Sequence, residues 1–247
     1  MFRRVFLAAV LAATVAGLVM SFLQETRVTP FIFAAEEFEN AAPVQDHAHD
    51  AHGTATPTAS TGIPDAVAAE TTAAPDAWMP ADGVERTIYT ILADLVVGIG
   101  FALALVGISV LSGIPITLGN GAVWGLCAFL AVSIAPAAGL PPELPGMAAA
   151  DLLTRQAWWW FTVGCTGAGI GLLARTRHYG LWALAAALIA LPHLVGAPQA
   201  PHEPSPVPAH LATGFAANAL AAAAAFWALL GIGLGLVNDR ISGSKPT

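Results

Sequence analysis

Charge is what this sequence has least of: Asp, Glu, Lys and Arg make up 10% of its 247 residues, against about 25% in an ordinary soluble domain. A water-facing surface cannot be built from so few ionised groups. Basic residues are the scarcer sign, nine Lys and Arg against 16 Asp and Glu. They form no cluster, and with no zinc-finger spacing and no aromatic RNA-binding motif, nucleic-acid binding is excluded. Cysteine is almost missing. Cys127 and Cys165 each stand inside an apolar run without a CxxC partner, which excludes a disulfide framework and a thiolate metal site and leaves both as small packing residues. Nucleotide-binding loop, nucleophile elbow, HExxH helix and paired acid/base constellation are likewise lacking, so neither an ATPase nor a familiar hydrolase is supported. We read the chain as a non-enzyme with no permanently bound cofactor.

What the sequence has in excess is apolar, 56% of its residues, gathered into long runs. Crossing a hydrocarbon core of about 30 Å takes roughly 20 helical residues. Six runs approach that length, at 5–23, 88–111, 116–138, 158–174, 181–197 and 211–237. They predict an all-α, polytopic transmembrane helix bundle. Its parts are a first transmembrane helix (1–24), an outer polar loop (25–87), a five-helix bundle (88–240) and a cytoplasmic tail (241–247). The first run follows Arg3-Arg4 and resembles a signal peptide. Its apolar stretch is long for one, and no small-residue cleavage site stands near Met20-Ser21-Phe22, so it reads as a retained helix.

Basic residues are held on the cytoplasmic side of a membrane. With the N-terminus inside, six fall there (Arg3, Arg4, Arg175, Arg177, Arg240, Lys245) and three fall outside (Arg27, Arg86, Arg155). This predicts a bacterial inner-membrane protein with both termini cytoplasmic. Trp158-Trp159-Trp160 is then expected at the outer headgroup layer. Small residues at four-residue spacing, Gly167 with Gly171, Ala183 with Ala187, and Gly231 with Gly235, read as helix-packing faces. A glycine-lined permeation path is the sharper alternative for them.

The 24–87 stretch is rich in Ala, Thr, Pro, Asp and Glu and cannot bury a core, a composition that favours disorder. Its first part, 29–38, is apolar enough to lie in the membrane interface. Within it, Asp46-His47-Ala48-His49-Asp50-Ala51-His52 sets three imidazoles and two carboxylates over seven residues. Such a cluster can present several ligands to one divalent ion without a fold. By the Irving–Williams order it would concentrate metal without selecting it. The plainer alternative is a solvated loop whose histidines bind nothing. His193, beside Pro192 near the outer end of the fifth run, is an ionisable group at membrane depth. His202 and His210 follow in a proline-rich loop as weaker candidates, and His178 alone falls inside. Asp94 is the only acidic residue well inside an apolar run, which marks it for ion or proton handling or for a structural hydrogen bond.

Several segments resemble the CbtA family of proposed cobalt transporter subunits: Met1-Phe2-Arg3-Arg4-Val5-Phe6-Leu7-Ala8-Ala9, Pro141-Pro142-Glu143-Leu144-Pro145-Gly146-Met147, Arg155-Gln156-Ala157-Trp158-Trp159-Trp160, and Leu191-Pro192-His193-Leu194-Val195-Gly196-Ala197-Pro198. The resemblance covers nearly the whole chain. It implies uptake of cobalt for cobalamin synthesis together with CbtB, a small single-span, histidine-rich subunit. The family is usually described with about five spans, one fewer than counted here. No established ligand set comes with it, so Glu143, Arg155, Gln156, Trp158, Trp159 and His193 are candidates by position and chemistry. The metal-handling set is then His47, His49, His52, His193, Asp94 and Glu143, with Co2+ as the transported ion. The rival reading is a non-transporting scaffold that anchors a small metal-binding membrane protein.

Overall fold

The computed structural model of the chain describes residues 2–41, 80–81, 83–201 and 205–243. The His47, His49 and His52 cluster, His202 and most of the stretch expected to be disordered lie outside the described residues. Among these residues there is no strand, and eight helical segments form six rods: α1 (Phe2–Leu23), α2 (Thr29–Ala41), α3 (Val84–Ser112), α4 (Gly121–Phe129), α5 (Ala135–Ala137), α6 (Leu152–Arg175), α7 (Tyr179–Val195) and α8 (Ala209–Gly243). Phe6–Phe38, Val84–Ser112 and Ala209–Arg240 are each long and apolar enough to cross a bilayer, and Gly121–Ala137 and Tyr179–Val195 are shorter apolar helices.

α1 and α2 are one continuous rod joined by a π-helical turn, Gln24–Val28, and a second π turn, Leu130–Ile134, joins α4 to α5. Each π turn is followed two residues later by a proline, Pro30 and Pro136. Proline donates no N–H and its ring crowds the carbonyl four residues back, and widening the preceding turn by one residue accommodates both. The first rod therefore runs on to Ala41 where the sequence suggested a span ending near Leu23 and an interfacial segment at 29–38. The third rod starts at Gly121, not near Ile116, because residues 113–120 are tied down in a non-helical turn. Gly113 closes α3 in the left-handed region (φ 68°). Asn120 Nδ2 donates to Pro115 O (2.9 Å), Asn238 Nδ2 to Ile116 O (2.8 Å), and Leu118 N to Asp239 Oδ2 (2.9 Å).

Successive rods alternate in direction. Ala12 lies against Gly233 and Phe31 against Gly214, so α1–α2 is antiparallel to α8, while Gly17 meets Asp94 and Leu95 of α3. The start of α1 and the end of α8 therefore share one end of the bundle, with Arg175 and Arg240. Arg86 and Arg155 share the other end. The core joins α1, α3, α4 and α8: Ala9, Ala12, Ala13 and Ala16 of α1 are buried with Leu105, Phe226, Trp227, Leu230 and Leu234. Elsewhere Val15, Val96, Val97, Leu111 and Leu194 point outward and are more than half exposed, as lipid-facing side chains are.

Two glycine patterns separate sharply. Gly121 and Gly125 of α4 meet Gly231 and Trp227 of α8, Gly235 of α8 meets Thr117 in the turn before α4, and a Cβ at any of the four glycines would strike the opposing backbone. The α6 glycines Gly164, Gly167 and Gly171 have nothing within 4 Å of a Cβ position. Ala183 and Ala187 are exposed on α7. The packing reading therefore holds for Gly231–Gly235, whose partners on α4 and the turn before it were not anticipated, and does not describe the other two pairs.

Candidate functional site

A second, small core at the Arg86–Arg155 end buries Ala35, Leu144 and Val207, with Phe31, Ile32, Met147, Leu211 and Phe215 around them. It pins the loop after α5 against α2 and the start of α8. Glu143 precedes buried Leu144, so its backbone is anchored by this packing. Asp151 caps α6, accepting from Thr154 N (3.0 Å), and starts that helix a turn and a half before the tryptophans. Arg155, in the first turn, reaches Glu143 Oε2 with Nη2 at 2.9 Å, with the two side chains 30% and 19% exposed.

This ion pair stands in the wall of a cavity of about 690 Å³ shared with Ser133, Gln156 and the face of α8 at Ala219–Ala223. Ser133 belongs to the second π turn, and its Oγ accepts from Trp227 Nε1 at 3.2 Å. Val132, Trp159 and Trp160 line this cavity and also a second one of about 690 Å³. The second lies between α6 and the α3–α4 pair and is bordered by Gly164, Gly167 and Gly171. Its walls are apolar until Ser112, Asn120 and Arg175 at the far end, where the Arg175 guanidinium donates to Ser112 O. Val132, Trp159 and Trp160 thus border both cavities, one carrying the Glu143–Arg155 pair and the other lined mainly by apolar side chains.

Trp158 packs inside the bundle: it is buried, its indole donates to Pro192 O at 3.3 Å, and it fills the space over Gly139, while Trp160 is exposed. That bond docks the end of α7 on α6. His193 is exposed, its ring edge-on to Trp158 at 6.0 Å, and lines neither cavity. Asp94 lines neither cavity either. It faces α1, where Ser21 Oγ lies 2.7 Å from Oδ2 and Gln24 Nε2 lies 3.4 Å from Oδ1. Glu143, His193 and Asp94 are therefore three separate positions, and among the described residues no three His, Cys, Asp or Glu side chains converge as a metal site would need. Ser133 and the Ser21–Gln24 pair were not singled out in the sequence. A serine within an apolar run three residues before Pro136, and a glutamine at the end of an apolar run six residues before Pro30, were the available signals.

The profile of a family described as probable cobalt transporter subunit (CbtA) matches residues 2–239. No curated protein sequence and no solved structure matches the chain.

Proposed function

The chain therefore belongs to the CbtA family of probable cobalt transporter subunits, and from that membership we propose that it forms the metal path of a divalent-cation uptake system, with Co2+ as cargo and cobalamin synthesis as its use. The observation that carries this reading is Glu143: a carboxylate paired with Arg155 in the wall of a cavity of about 690 Å³, in a bundle otherwise poor in charge. Arg155 neutralises it at rest. An incoming divalent ion competes with the guanidinium for the carboxylate, and Gln156 and Ser133 supply further oxygens.

In this reading the protein lies in the bacterial inner membrane with both termini cytoplasmic, so the Glu143 chamber faces outward. The excess of Lys and Arg at the terminus-bearing end supports that orientation. The His47, His49 and His52 loop precedes α3, which starts at the outward end, and collects metal there. His193 at the same end is a second docking point. A CbtB-like single-span subunit is the partner, in keeping with the family's description as a subunit.

Cobalt accumulation in cells with and without the chain tests the reading. We expect higher cobalt content with it. Replacing His47, His49 and His52 together by Ala should raise the half-saturating cobalt concentration and leave the maximal rate intact. Unchanged cobalt, nickel and zinc content would remove the transport reading. One observation favours the scaffold alternative: Glu143 already has a cationic partner. In that case Glu143→Gln would leave accumulation untouched.

A further inference from the structure

α3 packs along α1, α4 along α8 and α6 along α7, and contact between α1 and α8 joins the first two pairs. Among the described residues no rod fills the gap that this leaves between α3 and α6. The gap is the open apolar groove of about 690 Å³, with Ile108 and Ser112 on one wall, Val123 on the floor, and Gly164, Gly167 and Gly171 on the other wall. From Trp160 to Arg175 it follows α6 for about 23 Å.

Helices in lipid associate through close backbone approach at small residues and through polar groups that find partners across the contact. The groove offers both. A Cβ at Gly164, Gly167 or Gly171 would meet nothing within 4 Å, so the α6 backbone is bare on this side. At one end the Arg175 guanidinium lines the groove and donates to Ser112 O, a single contact for a group with five N–H donors. Among the described residues no carboxylate pairs with it. Asp239, at the same end of the bundle, accepts from Leu118 N instead. The rim of an otherwise apolar groove thus carries a cation that an incoming anion would complement.

Three occupants fit this shape and charge poorly. A lipid tail gains nothing from bare glycine backbone, and the groove is longer than one leaflet, about 15 Å deep. A second copy that laid its own α6 here about a two-fold axis along the membrane normal would set one Arg175 beside the other, like charge on like. Residues 42–79 contain no apolar run of span length, and they leave α2 and enter α3 at the opposite end from Arg175. A helix of another polypeptide meets none of these objections, and the family's description as a subunit provides for one.

We propose that the groove between α3, α4 and α6 is the docking site for one apolar transmembrane helix of a partner subunit, with small residues facing α6 and a carboxylate at the Arg175 end that pairs with the guanidinium. The proposal rests on the subunit reading above and is independent of the cargo. Docked there, the helix covers the exposed glycines and closes the open side of the apolar cavity, next to the Val132, Trp159 and Trp160 border with the Glu143 cavity.

A photo-crosslinking residue at Val123 of the full chain in native membranes tests the site, with one at exposed Leu184 of α7 as the control. Val123, and not Leu184, should capture an apolar segment of another polypeptide, mapped by mass spectrometry to a run of about 20 residues with an Asp or Glu at the Arg175 end. Gly167→Leu, whose side chain meets no backbone, should abolish the product. Arg175→Glu should lose most of it, and replacing the captured segment's carboxylate by Lys should restore it in the Arg175→Glu chain. The proposal is overturned by no product, by lipid or a second copy of this chain as the product, by a captured helix without that carboxylate, or by capture that survives Gly167→Leu. Cobalt uptake by the same cells separates docking from transport. Capture without uptake removes the transport reading and leaves the docking site standing, whereas uptake with no helix in the groove removes the docking site alone.

Discussion

The α4–α8 seam and the α6 face use the same residue type for opposite ends. At Gly121, Gly125, Gly231 and Gly235 the missing side chain lets two backbones touch, whereas at Gly164, Gly167 and Gly171 it leaves space that nothing fills. In lipid, where apolar side chains gain nothing by leaving their surroundings, close backbone approach is a main source of helix association. The seam therefore holds the bundle together, and the exposed α6 glycines border an open apolar groove.

Gly125→Leu tests the closed side and should have the largest effect. Its side chain must displace the Trp227 backbone, a clash we place above ~3 kcal/mol, so little folded protein should survive a thermal ramp in detergent. Recovery of a wild-type melting profile would show that the seam is dispensable. Gly167→Leu tests the open side: the leucine enters the apolar chamber without meeting backbone. Melting should change by less than ~1 kcal/mol while cobalt uptake falls to background. Loss of fold here would make the two glycine sets equivalent.

Glu143→Gln acts at the polar mouth of the open side. Arg155 is left unpaired with its side chain 30% exposed, so stability should drop by on the order of 1 kcal/mol after solvent screening. Uptake at low cobalt should fall more than uptake at saturation. Pro136→Ala is the mildest change and touches the joint between the two regions. With an N–H restored the π turn can close to a regular helix, turning Ser133 away from Trp227. The expected cost is about 1 kcal/mol, with a shift in tryptophan fluorescence as the indole loses its acceptor.

Much of the architecture was legible without coordinates, because the length of an apolar run is a local property. Each of the six runs maps to one rod, and the split of Arg86 and Arg155 from Arg175 and Arg240 between the two ends follows from alternating direction alone. One boundary moved where side chains acted at a distance, as Asn238 and Asp239 of α8 bond residues 116–118 ahead of α4, and another through the local cap of Asp151, which starts α6 at Leu152. Of the candidate site, Glu143 and Arg155 were each recognised in the sequence, but not as a pair, since 12 residues and a loop separate them.

The sequence by itself determined that this is a bundle of membrane helices with little charge to place, and that Asp94 and Glu143 are the carboxylates to watch. Only the tertiary structure decided which glycines are closed and which are open, and that Asp94 answers to Ser21 and Gln24 while Glu143 faces a chamber. The reason is physical. In a membrane bundle the lipid side and the inner side of a helix are both apolar, so the amphipathic period that reveals the buried face of a soluble helix is missing. Which face turns inward is fixed by backbone contact between rods, and no single rod records it.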